Sequence, residues 1–262
     1  MLYLVVFLVC FLASIAGAIC GIGGGVIIKP VLDALGVMSV AAVSFLSGCT
    51  VLSMTAYSVA KSRAGGESRI ERKTGFPLAV GAALGGVAGK WLFSFASSMS
   101  PDKDRVGAVQ AACLFVVTLG TLLYTIYKSR IRTYHVTAPA VCVLIGLALG
   151  ILSSFLGIGG GPINLVVLFF FFSMPTKNAA ENSLYIIFFS QVTSLFSSVA
   201  SGSIPEFKIA MLIWMTAGGI GGGIAGRKIN KKISDKVVDR LFIALMVVIL
   251  FINLYNIYRF TM

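Results

Sequence analysis

The chain has 262 residues, of which 58% are hydrophobic and 11% charged, and a formal net charge of +12. A soluble domain of this length carries about a quarter charged residues, so the composition excludes a water-soluble globule and points to a lipid bilayer. The basic excess sits in short loops between apolar runs, the distribution that orients membrane proteins, so nucleic acid is not expected as a partner.

Apolar runs of about 20 residues, each enough for a helix across the hydrocarbon core, recur in chain order. They are Leu2–Ala18, Met38–Ala60, Phe76–Ala96, Val106–Tyr127, Val136–Phe155, Ala179–Ser201, Phe207–Ala225 and Leu241–Tyr258. The first has no basic residue ahead of it and feeds into a motif that returns later, so it reads as part of the mature fold and not as a signal peptide. The cysteines (10, 20, 49, 113 and 142) lie in or beside apolar runs without C-x-x-C spacing. Neither disulfides, a metal nor a cofactor is expected.

The first apolar run is followed by Gly21-Ile22-Gly23-Gly24-Gly25, and the fifth by Gly157-Ile158-Gly159-Gly160-Gly161, an offset of 136. A second echo follows at an offset of 137, with Gly81, Gly85 and Gly89 answered by Gly218, Gly222 and Gly226. Each triplet is followed by a cation, Lys90 or Arg227. "LYTIYK" at 123–128 and "LYNIYR" at 254–259 close the two copies. Three echoes in one order indicate a duplication, with repeats at 1–135 and 136–262. The four-residue spacing of the triplets lets transmembrane helices approach closely and reads as scaffold.

Charge sets the topology. Loop 61–75 carries Lys61, Arg63, Arg69, Arg72 and Lys73, and loop 128–136 carries Lys128, Arg130 and Arg132. Segment 227–240 is basic as well, whereas loops 98–105 and 202–208 are nearly balanced (Asp102, Lys103, Asp104 and Arg105; Glu206 and Lys208). Eight plain spans would put 227–240 on the face opposite 61–75. If each glycine cluster is instead the tip of a hairpin, every basic loop falls on the cytoplasmic side and both termini lie outside. The arms Val26–Val37 and Pro162–Met174 are too short to cross alone. The expected fold is therefore an all-α polytopic membrane protein of two inverted repeats. Each is a glycine-tipped hairpin (1–37; 136–175) followed by three transmembrane helices (38–127; 178–258).

Broken helices in paired repeats mark secondary transporters, with the substrate site near the midplane. A glycine turn leading into a helix offers free N–H groups and a positive dipole end, which suit an anion. Gly23, Gly24, Gly25, Gly159, Gly160 and Gly161 are accordingly the expected substrate-binding residues. Asn164, three residues after the second cluster, adds a hydrogen-bond donor, and Gln191, mid-span, is a pore-lining candidate. Lys29, four residues after the first cluster, is an intramembrane cation that either meets substrate, snorkels outward or pairs with Asp33 at i+4. Glu181 beside Lys177 reads as a gate or surface pair at the cytoplasmic end, with proton coupling as an alternative.

The paired G-x-G-G-G clusters, the "AAENS" stretch Ala179–Ser183 with its echo Ala41–Ser44, and the "AGRKINKKISDK" segment at 225–236 together resemble the TauE/SafE sulfite-exporter family over essentially the whole chain. Pro30 follows the first cluster as in that family, whereas the second copy has Pro162 directly after its glycines and Val166 at the matching place. The resemblance implies a permease of the cytoplasmic membrane for sulfite, thiosulfate or organosulfonates. The alternative is a channel-like pore or a transporter of other small organic anions. A coupling proton and a homodimer are further expectations. An enzyme is not expected, because His135 is the only histidine and Cys20, the one nucleophile beside a glycine cluster, is Leu156 in the second copy.

Overall fold

The computed structural model describes residues 2–64, 70–99 and 103–261; Arg69 and Asp102 of the charged loops lie outside them, as do the side chains of Arg72, Lys103 and Asp104. The described residues are helical and contain no strand. The helices are α1 (Leu2–Cys20), α2 (Gly25–Leu35), α3 (Val40–Ala64), α4 (Arg72–Met99), α5 (Lys103–Tyr127), α6 (Pro139–Phe155), α7 (Pro162–Phe172), α8 (Thr176–Ala200), α9 (Ile209–Lys232) and α10 (Asp235–Thr261).

Seven of these are long and apolar enough to cross a membrane. The sequence suggested eight. The difference is α6, whose 17 residues start at Pro139 and not at Val136. Residues just before Pro139 are extended, and the N–H groups of Tyr134 and Val136 donate to the carbonyls of Phe170 and Phe171 at 2.7 and 2.9 Å. Leu12, Leu144, Phe196, Ile209 and Phe251 are all more than half exposed. Such a scatter of bare apolar side chains would be costly in water and suits hydrocarbon.

The glycine triplets decide which helices pair. A Cβ on Gly81, Gly85 or Gly89 would collide with the carbonyl oxygens of Val143, Leu147 and Ile151, so α4 lies backbone to backbone against α6. Gly218, Gly222 and Gly226 meet the carbonyls of Phe7, Phe11 and Ile15 in the same way, which docks α9 on α1. Small residues allow this approach, and close packing then holds the helices where no hydrophobic drive separates protein from lipid.

Matched contacts give the helix directions. Thr50, Met54 and Ser58 of α3 meet Gly219, Gly223 and Arg227 in turn, so α3, α9 and α1 run one way. Gly75 adjoins Asn182 and Gly86 adjoins Ser190, so α4, α8 and α6 run together. The two sets are opposed, because Gly48 near the start of α3 meets Gln191 while Ser62 near its end bonds Glu181. The end of α5 meets the start of α10 through Lys128 and Asp239, 2.6 Å apart, and the start of α5 meets Phe260.

Candidate functional site

The two glycine clusters touch. A Cβ on Gly25 would collide with the Ile158 carbonyl, and one on Gly23 would lie 3.7 Å from the Gly159 carbonyl oxygen. Gly23 (φ 70°) and Gly159 (φ 67°) share the left-handed backbone that glycine adopts without penalty. Val51 and Ile187 wall the junction, at 3.4 Å each from the Gly23 Cβ position. Each is near the centre of a 25-residue helix, Val51 in α3 and Ile187 in α8, so the clusters meet level with the middle of both helices.

The turns leave backbone donors open. Gly21 and Ile22 donate to the Gly17 carbonyl, and Leu156 and Gly157 donate to Leu152 and Ser154. Among the described residues the N–H groups of Gly23, Gly24, Gly159 and Gly160 make no backbone hydrogen bond. Buried amides are normally paired, so a cluster of open donors at the centre of the molecule is a place for an acceptor. All six glycines are buried.

Beside this junction lies a cavity of about 400 Å³, lined by Lys177, Glu181, Arg227, Asn230 and Lys231, with Ala18, Ser58, Ala180 and Leu184 as its floor and walls. Ala180 also covers Gly21, which links the cavity to the first turn. Arg227 donates to the Ser58 carbonyl at 2.8 Å and Asn230 to the Ile19 carbonyl at 2.6 Å, so both are held by neighbouring helices. These bonds explain why α9 runs past Ala225, where its apolar stretch ends, as far as Lys232. Ser62 donates to Glu181 and ties α3 to α8. Three cations against one carboxylate make this cavity attractive to anions.

The other expected residues divide. Asn164 is buried one turn beyond the second cluster, its N–H donating to Gly161 at 3.1 Å. Gln191 lines a different cavity, of about 20 Å³, with Lys90, Ser44, Ser154, Ser194 and Gly157. Lys29 does not snorkel: it is 3% exposed, and its Nζ lies 2.6 Å from Asp33 Oδ2. Asn256 of α10 donates to the Pro30 carbonyl at 2.9 Å, and Arg259 donates to the carbonyls of Asp33 and Ala34. α2 is thereby clamped to α10. The sequence reading missed Arg227, Asn230 and Lys90 as cavity residues, although the cation after each triplet was the available signal.

The sulfite exporter TauE/SafE family model matches residues 6–253. The chain is also similar to the probable membrane transporter protein YunE of Bacillus subtilis (strain 168), at 23% identity over 74% of this chain and 77% of that protein. No solved structure matches it. With its seven candidate spans, the chain is a multi-pass protein of the cell membrane and belongs to the sulfite exporter TauE/SafE family of membrane transporters.

Proposed function

We propose that this transporter moves small sulfur-containing anions, such as sulfite, thiosulfate or organosulfonates, across the cytoplasmic membrane and holds them at mid-depth between the two glycine turns. The observation that carries the reading is the meeting of two donor-bearing turns next to a cation-lined cavity. Backbone N–H groups bind an oxyanion by aligned dipoles, without the full charge that would hold it too tightly for release. Gly23–Gly25 and Gly159–Gly161 supply the donors, and Asn164 flanks them. Arg227, Lys177 and Lys231 draw the anion in, and the Ser62–Glu181 bond acts as a gate at the cavity mouth.

The two repeats are inverted in this account. Support comes from the opposite directions of α1 and α6, α3 and α8, α4 and α9, and α5 and α10. The basic loops at 61–75, 128–136 and 227–236 then share the cytoplasmic face, and the larger cavity opens there.

The test is flux of radiolabelled thiosulfate and sulfite in proteoliposomes. Saturable flux, competed by small oxyanions and not by inorganic cations or neutral sugars, is expected. Competition by amines and not by anions contradicts the reading, and flux that never saturates favours a channel.

A further inference from the structure

Lys90 stands to α4 as Arg227 stands to α9: each directly follows the last glycine of its triplet. The cavity around Lys90 repeats the cavity around Arg227 in part, with Phe45 and Phe93 at the places of Glu181 and Asn230. Ser44, Gly48 and Ser154 stand at the places of Ala180, Leu184 and Ala18, an offset of 136 in each case. Yet one cavity has about 400 Å³ and the other about 20 Å³. Arg227 lies on the face of the basic loops, and Lys90 faces the opposite end, where α3 begins and α8 ends.

Among the described residues no carboxylate lines the smaller cavity to balance its cation. Lys90 makes no ion pair among the described residues, its Nζ lying 5.1 Å from the centre of the Phe93 ring. The hydroxyls of Ser44, Ser153 and Ser154 are buried and have no hydrogen-bond partner. Gln191 adds a carboxamide. A lone cation at membrane depth surrounded by unpaired hydroxyls is expensive for structure alone and marks function. Its complement is an anion with several acceptor oxygens.

Resting on the transport reading above, we propose that Lys90, with Ser44, Ser154 and Gln191, forms a second anion subsite, the counterpart of the one at Arg227. It serves the face opposite the basic loops and is collapsed in this structure. The anion passes between the two cationic subsites by way of the glycine turns, and one cavity widens as the other closes.

The experiment measures the half-saturation concentration for thiosulfate in right-side-out and inside-out membrane vesicles, so that each face is read separately. For Lys90→Gln we expect about a tenfold rise on the face opposite the basic loops and less than about a twofold change on the other, as loss of one charge-assisted bond gives. Arg227→Gln should show the reverse pattern. Ser154→Ala, a milder change that keeps the helix, should shift the same face as Lys90→Gln by about threefold. Equal shifts on both faces, or none in Lys90→Gln and Ser154→Ala, overturn the subsite. If the wild type carries small carboxylates and no sulfur anion, only the substrate class proposed above fails, and the Lys90 comparison is read with acetate. If it carries no anion, both proposals fall.

Discussion

Val51 and Ile187, 136 residues apart, occupy equivalent places: each sits near the middle of a 25-residue helix and each packs against both glycine turns. A side chain added at Gly159 would be driven into Val51, and one at Gly160 into Ile187.

Gly23→Ala and Gly159→Ala separate strain from space. Both place alanine at positive φ, at about 1–2 kcal/mol. At Gly23 the new methyl meets only ordinary contacts at 3.4 Å, whereas at Gly159 it lies 2.9 Å from Val51. Gly159→Ala should therefore lose more thermal stability in detergent, by about 1–3 kcal/mol of overpacking. Adding Val51→Ala should recover part of that loss in Gly159→Ala and none in Gly23→Ala. Equal recovery in both would show that Val51 does not wall the turn.

Valine at the scaffold triplets should act on assembly. In Gly85→Val and Gly222→Val the side chain is driven into the carbonyls of Leu147 and Phe11. The expected outcome is a fall in monodisperse yield, with anion affinity little changed in whatever protein does fold. Normal yield from both would contradict the backbone-contact packing.

The Lys29–Asp33 pair is self-contained, so its loss should register in stability. Lys29→Ala leaves a buried carboxylate unpaired, at about 3–5 kcal/mol, and the double variant Lys29→Ala/Asp33→Ala should be more stable than the single one. Thermal unfolding of the purified proteins reads this. A single variant as stable as the wild type would mean that the pair is not buried as described.

Labelling checks the directions of the repeats. In a Cys113→Ser background, cysteines at Lys61 and Lys232 should both react with an impermeant thiol reagent from the cytoplasmic side, and one at Ser203 from outside. Lys61 and Lys232 reacting from opposite sides would remove the inverted arrangement.

Much of this arrangement is legible in the chain because it is written twice. The offsets of 136 and 137 mark the repeats, and the short arms appear as the 11-residue helices α2 and α7. The spacing of Gly81, Gly85 and Gly89 announces close packing. It does not name the partner, and only the docking of α4 on α6 and α9 on α1 turns Lys90 and Arg227 toward cavities. The fate of Lys29 was open for the same reason: it depends on α10, more than 200 residues on, capping Pro30 and Asp33 through Asn256 and Arg259. The unequal cavities had a signal in the chain, since Phe45 and Phe93 stand at the places of Glu181 and Asn230, but only the packing shows that these positions line the two cavities.

The central claim is that backbone donors at the glycine turns hold the anion. Equilibrium binding of labelled thiosulfate to folded, monodisperse Gly24→Val, Gly160→Val and Lys29→Ala proteins tests it most directly. A Cβ on Gly24 lies 3.0 Å from Ser14 Oγ, and one on Gly160, at φ 136°, is driven into Ile187. Each glycine variant should therefore lose binding on its own, because both turns serve one site, while Lys29→Ala should weaken it only severalfold at most. Glycine variants that bind thiosulfate like the wild type, beside a Lys29→Ala protein that does not, would contradict the account.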